Sequence, residues 1–169
     1  MELKIEGAVV TDEGNVRSGN EDNYYLFGNY RYDTSVGKKR EKKEAPARQE
    51  LAAVYDGMGG EEAGEVASLT AARFFMPCRD ESLRVEAPYQ VKCANEAICR
   101  EIENRGGARI GTTAVMLYLD EGKATCLNVG DSRCYFMRDG MLRQISVDHP
   151  EAENMVRMGI LEPAKARKS

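Results

Sequence analysis

Residues 51–68 read LAAVYDGMGGEEAGEVAS. The apolar run Leu51, Ala52, Ala53, Val54, Tyr55 ends on Asp56, and Gly57, Gly59 and Gly60 follow at once. A short apolar run closed by glycines reads as a buried strand, and helical spacing resumes near residue 61. An aspartate at a strand's end is held by the sheet while its carboxylate faces a cleft. The glycines permit positive φ or a close approach of the backbone to a ligand. That geometry suits a metal ligand whose neighbouring carbonyl can also coordinate. It equally suits a tight strand-to-helix turn, and the remainder of the chain has to separate the two.

Upstream, residues 5–11 read as a strand, Asp12-Glu13-Gly14-Asn15 as a turn, and the aromatic-rich residues 23–27 as a second strand. Arg17, Glu21 and Asp22 lie between them. Two adjacent acids before a strand are ordinarily solvated. A second acidic motif at Asp56 makes them candidate metal ligands, because magnesium and manganese take hard oxygen donors and keep several waters. An arginine beside such a site can clamp a phosphate through both of its outer nitrogens. Residues 30–50, which include GKKREKKEAPARQE, carry dense mixed charge and read as a solvated surface loop.

Downstream, residues 61–75 have helical spacing with small residues on one side. A second helix is expected over 88–104, ending at Gly106-Gly107. Residues 111–119, apolar on both faces, read as a strand buried between layers. Strands are expected at 123–129 and 133–137, and Asp139-Gly140 signals a hairpin leading into a strand at 141–145. A short helix is expected at 151–158.

The composition sets limits on function. The chain has 169 residues, 42% of them hydrophobic, and a formal net charge of -4, which fits one domain and gives no case for a nucleic-acid or anionic-membrane binder. No apolar run reaches the roughly 18 residues that a membrane span needs, and the acidic N-terminus is unlike a secretory signal. The five cysteines form no CxxC pair and read as reduced core thiols of a cytoplasmic protein, and with His149 the only histidine a zinc site is disfavoured.

Five motifs now stand in order: Arg17-x-x-Asn20-Glu21-Asp22, Asp56-Gly57-Met58-Gly59-Gly60 with Ala63-Gly64-Glu65, Gly111-Thr112-Thr113, Gly130-Asp131-Ser132-Arg133, and Asp148-His149. Together they resemble the metal-dependent serine/threonine phosphatases of type 2C in their bacterial form. The resemblance covers nearly the whole chain. It implies an α+β fold, a four-layer α/β/β/α sandwich of two antiparallel sheets flanked by helices. It implies two Mn²⁺ or Mg²⁺ ions, with a third, weaker one, and hydrolysis of phosphoserine and phosphothreonine in proteins by a metal-activated water. Asp56 would bridge the ions, the Gly57 carbonyl would reach one of them, and Glu21 and Asp22 would bind or orient them. Asp131 would serve the third ion, and Arg17 would hold the phosphate. Phosphorylated proteins, within a serine/threonine kinase system, would be the partners.

Two departures accompany the resemblance. Where some members carry a histidine after Asp-Gly as the general acid, this chain has Met58, which has no proton to give. Family members also continue into strands carrying two more metal aspartates, and the chain stops at Ser169 before either. Asp139-Gly140 precedes the Asp-His motif and is no substitute, and His149 is read as structural. The fold is therefore expected to be incomplete at its C-terminal side. Three readings follow: the N-terminal part of an active phosphatase, a natural short form that binds phosphoproteins without turnover, and a small phosphatase that gathers ligands from a second subunit.

Overall fold

A computed structural model describes residues 3–59 and 63–147. The chain begins with β1 (Lys4–Asp12), β2 (Asn23–Leu26), β3 (Asn29–Tyr30), β4 (Lys38–Pro46) and β5 (Glu50–Tyr55). A short β6 (Gly57–Met58) precedes two helices, α1 (Gly64–Phe74) and α2 (Leu83–Asn104). The rest is β: β7 (Gly111–Thr112), β8 (Ala114–Asp120), β9 (Lys123–Val129) and the hairpin of β10 (Tyr135–Arg138) and β11 (Met141–Gln144). The central sheet has the order β3-β2-β5-β8-β9, and every neighbouring pair in it is antiparallel.

Period-two alternation sorts the apolar residues between two layers. Leu51, Ala53 and Tyr55 of β5, with Ala114, Met116 and Tyr118 of β8, face α1 and α2 and meet Ala71, Phe75, Leu83, Ala87 and Ala94 there. On the opposite face, Tyr24, Leu26 and Phe27 pack against Ala45, with Ile5 and Val9 of β1 alongside. Layers of helices, sheet and a β1–β4 ribbon result, an α+β sandwich with three of the four expected layers among the described residues.

The charged segment at residues 30–50 is not a loop throughout. Its residues Lys38–Pro46 form β4, paired with β1 over nine residues from Lys4↔Pro46 to Asp12↔Lys38. Composition misleads here because every inward charge finds a partner. The Tyr24 hydroxyl donates to Glu41 at 2.8 Å, Lys39 lies 3.6 Å from Glu41, and Lys43 donates to the Phe27 carbonyl. Outward, Lys38 pairs with Asp12 and Lys42 with Glu6 across the ribbon. Cross-strand pairs of opposite charge can thus stand in for apolar ones.

Two further boundaries differ from expectation. Helix α2 starts at Leu83 and carries Pro88 inside it, because Leu83, Ala87 and Ala94 form one buried stripe that outweighs the missing amide bond. It ends as expected, with Gly106 and Gly107 at positive φ and the Gly107 amide on the Ile102 carbonyl at 2.9 Å. The strand at 111–119 is divided at Thr113, where β5 and β8 bend together opposite Asp56. The expected helix at 151–158, with Asp148, His149 and Gly60, lies outside the described residues.

The connectivity gives the sheet two unlike ends. At one end lie the β1–β2 connection, the β3–β4 connection, Asp56, Thr113 and the Gly130-Asp131 bend. The other end carries tight turns at Phe27-Gly28, residues 47–49 and Glu121-Gly122.

Candidate active site

The end of the sheet with the long connections holds a cleft of about 510 Å³, lined among others by Arg17, Glu21, Asp22, Asp56, Gly57 and Met58. Five of the six candidate residues named from the sequence therefore meet there. Asp131 does not: it is exposed in the bend after β9 and does not line the cleft. Its neighbour Ser132 comes closer, its Oγ 2.6 Å from Thr113 Oγ1, and it lines a smaller cavity of about 230 Å³ shared with Asp22 and Asp56.

Asp56 is fixed by its backbone. Its amide donates to Thr113 Oγ1 at 3.1 Å, and its carbonyl accepts from the Thr113 amide at 2.9 Å and the Thr112 hydroxyl at 3.0 Å. The Gly111-Thr112-Thr113 motif thus holds the bend that aims the aspartate. Gly57 is needed for a close approach, since a Cβ there would lie 2.3 Å from the Glu21 carbonyl oxygen and 2.5 Å from that of Gly64. Strand β6 and the acidic loop consequently pack backbone to backbone, which brings Asp22 beside Asp56.

The acidic loop is held from below. Asn20, 5% exposed, donates to Thr11 Oγ1 at 2.7 Å and to the Gly37 carbonyl at 2.9 Å, and its Oδ1 accepts the Asp22 amide at 2.9 Å. The buried Ser68 hydroxyl of α1 donates to the Glu21 carbonyl at 2.6 Å. Sequence reasoning assigned no role to either residue, although an asparagine whose side chain accepts the amide two residues on is a usual way to close a turn. Glu21 turns its carboxylate to Arg17, 3.3 Å from the guanidinium, and so orients that arginine at the mouth of the cleft.

Asp22 and Asp56 are the electrostatic centre. Asp22 opens onto solvent, yet the protein around its carboxyl removes enough water to raise its pKa above the ordinary aspartate value of 3.8, and Asp56, within hydrogen-bonding reach, raises it further. Two like charges held together, only partly offset by Arg31 and Arg17, form a place that a divalent cation fits, and their oxygens are the hard donors that Mg²⁺ and Mn²⁺ prefer. Among the described residues, no three Asp, Glu, His or Cys side chains gather as a metal-ligand group. The cleft thus offers two neighbouring carboxylates and the backbone of Gly57 as oxygen donors among the described residues.

No described helix is long and apolar enough to cross a membrane. A family model described as protein phosphatase 2C matches residues 19–154. The chain is 31% identical over 169 residues to the serine/threonine protein phosphatase PstP of Mycobacterium tuberculosis, covering 97% of this chain and 29% of PstP. It is 29% identical to the serine/threonine phosphatase stp of Listeria innocua, covering 88% of this chain and 56% of that protein. The chain thus spans about half or less of the curated relatives it matches. The crystal structure of the catalytic domain of PstP in complex with two manganese ions superposes with a TM-score of 0.65 at 29% identity, covering 97% of this chain and 65% of that one.

Proposed function

The chain belongs to the protein phosphatase 2C family, and from that premise we propose that its cleft takes part in metal-dependent hydrolysis of phosphoserine and phosphothreonine in proteins. The observation that carries this reading is the meeting of Asp22, just before β2, and Asp56, just after β5, with Arg17 at the mouth of the same cleft. Asp22, Asp56 and the Gly57 carbonyl hold divalent cations, Mn²⁺ or Mg²⁺, with Glu21 orienting Arg17 and contributing through water. Bound cations of this kind acidify water and neutralise charge developing on a transferring phosphoryl group. Arg17 binds the phosphate through its guanidinium. Met58, exposed at the edge of the cleft, has no proton to donate, so the leaving alkoxide takes its proton from water and not from this side chain. Asp131 serves an outer cation site. The substrates are phosphorylated proteins of a serine/threonine kinase system in the cytoplasm.

The test is hydrolysis of a phosphothreonine peptide by the 169-residue chain with Mn²⁺, with EDTA, and as Asp56→Asn. Phosphate release that requires both the metal and Asp56 supports the reading. A folded wild-type chain that releases none with Mn²⁺ refutes turnover by this chain. A second reading, phosphoprotein binding without turnover, is favoured by the absence of a third gathered ligand among the described residues. It predicts Arg17-dependent binding of the same peptide in fluorescence anisotropy, with no phosphate released.

A further inference from the structure

Arg31 stands out as a charge inside the protein. Only 1% of it is exposed, yet it lies in a segment otherwise rich in solvated polar residues. Its backbone amide donates to Asn23 Oδ1 at 3.1 Å, and its carbonyl accepts from Asn23 Nδ2 at 2.8 Å. Its side chain reaches the other way: Nη2 donates to the Asn20 carbonyl at 2.5 Å and Nη1 to the Val36 carbonyl at 3.3 Å. Arg31 therefore grips both ends of the tetrapeptide Asn20-Glu21-Asp22-Asn23, and the two acids lie between its holds. Its guanidinium is within electrostatic reach of Asp22, Asp33 and Glu65.

This arrangement is expensive for a residue that only fills space. A buried cation loses its hydration, and Arg31 Nε has no partner. A methionine or leucine would pack the same space without that penalty. What an arginine adds here is a rigid fork that spans two carbonyls and a positive charge behind Asp22.

We propose that Arg31 is a positioning residue for the cation site, a buried clamp that sets the Asn20–Asn23 backbone and faces Asp22 with an opposite charge before any metal binds. The inference rests on the metal-binding reading of the cleft. It concerns a residue on a separate segment, outside the motifs that carry the family resemblance.

The test is Mn²⁺ titration of the EDTA-stripped full chain by calorimetry, at a temperature where each variant is folded by circular dichroism. Arg31→Met is compared with wild type and with Leu83→Ala, a core truncation on the helix side of the sheet. The expected result is Mn²⁺ binding at least tenfold weaker in Arg31→Met and unchanged in Leu83→Ala. Unchanged or tighter binding in Arg31→Met overturns the proposal, and so does equal weakening in both variants, which would mark general loosening. Should Arg31→Met fail to fold, Arg31→Lys decides. It keeps the charge but cannot span two carbonyls, so binding at least threefold weaker is expected and wild-type affinity overturns the clamp. A wild-type chain that takes up no Mn²⁺ refutes the metal reading itself, and the proposal falls with it.

Discussion

Replacing Gly57 by alanine probes the backbone contact on which the cleft depends. The added Cβ would stand 2.3 Å from the Glu21 carbonyl oxygen, 2.5 Å from the Gly64 carbonyl oxygen and 2.9 Å from the Gly64 carbonyl carbon. All three are backbone atoms, so no side-chain rotation relieves the overlap. Overpacking commonly destabilises by ~1–3 kcal/mol, and a clash against two backbone segments belongs at the upper end, about 3 kcal/mol. For a chain of this length each kcal/mol lowers the midpoint by roughly 2–4 °C, so Gly57→Ala should melt about 6–12 °C below wild type. The displaced Glu21 carbonyl would also shift Asp22, so Mn²⁺ affinity should fall together with stability. Gly19→Ala is the control: it lies in the same cleft lining, but its Cβ would meet nothing within 4 Å. It should melt within a degree or two of wild type, as an unconstrained surface change does. Thermal unfolding in EDTA and in Mn²⁺ reads both effects. A Gly57→Ala protein as stable as Gly19→Ala would refute the close packing of β6 on the acidic loop.

Other substitutions test the remaining parts. Asn20→Ala removes the donor to Thr11 and Gly37 and the acceptor for Asp22, leaving buried polar groups unpaired, and should destabilise by about 2–4 kcal/mol in urea unfolding. Asp22 has its folded pKa raised above the ordinary 3.8, by the protein around it and then by Asp56, so in the metal-free protein its contribution to stability falls as pH rises through that window. Asp22→Asn should therefore raise the urea midpoint in EDTA at neutral pH and abolish the extra stabilisation given by Mn²⁺. A midpoint that falls in EDTA would contradict the crowding of the two carboxyls. Iodoacetamide at pH 8 should modify exposed Cys99 first and spare Cys78, whose burial pushes its thiol up to about 12 and leaves almost no thiolate. Peptide mass mapping over time checks that order.

The strand ending on Asp56, the glycine turn, the small-residue helix after it and the β8–β9 pair were legible because each has a local signature, either alternation, helical spacing or a breaker. The pairing of Asp22 with Asp56 was legible only as two acidic motifs, since nothing local says which strands will be neighbours. Ribbon strand β4 was hidden because its charges are satisfied by Tyr24, Asn29 and the Phe27 carbonyl, which are distant in sequence. Arg31 was hidden for the same reason: an arginine between two tyrosines reads as a surface residue until Asn20 and Asn23 close around it. Asp131 shows the converse. Its motif drew attention, whereas the structure brings its neighbour Ser132 to Thr113.

The two unlike ends of the central sheet also decide where the chain can be altered for measurement. Strands β5 and β8 run six and seven residues between those ends, which at ~3.3 Å per residue is roughly 20 Å. The tight turns at Gly28 and Gly122 lie beyond that span, and the space around Gly122 is open, although its φ of +82° requires that the glycine itself be kept. A fluorophore, a short tag or a new pair of termini introduced at Glu121-Gly122 would sit far from every segment that shapes the cleft. The connections at the opposite end carry Arg17, Asn20, Arg31 and Asp56 between them, so cutting or lengthening any one of them would disturb several holds at once.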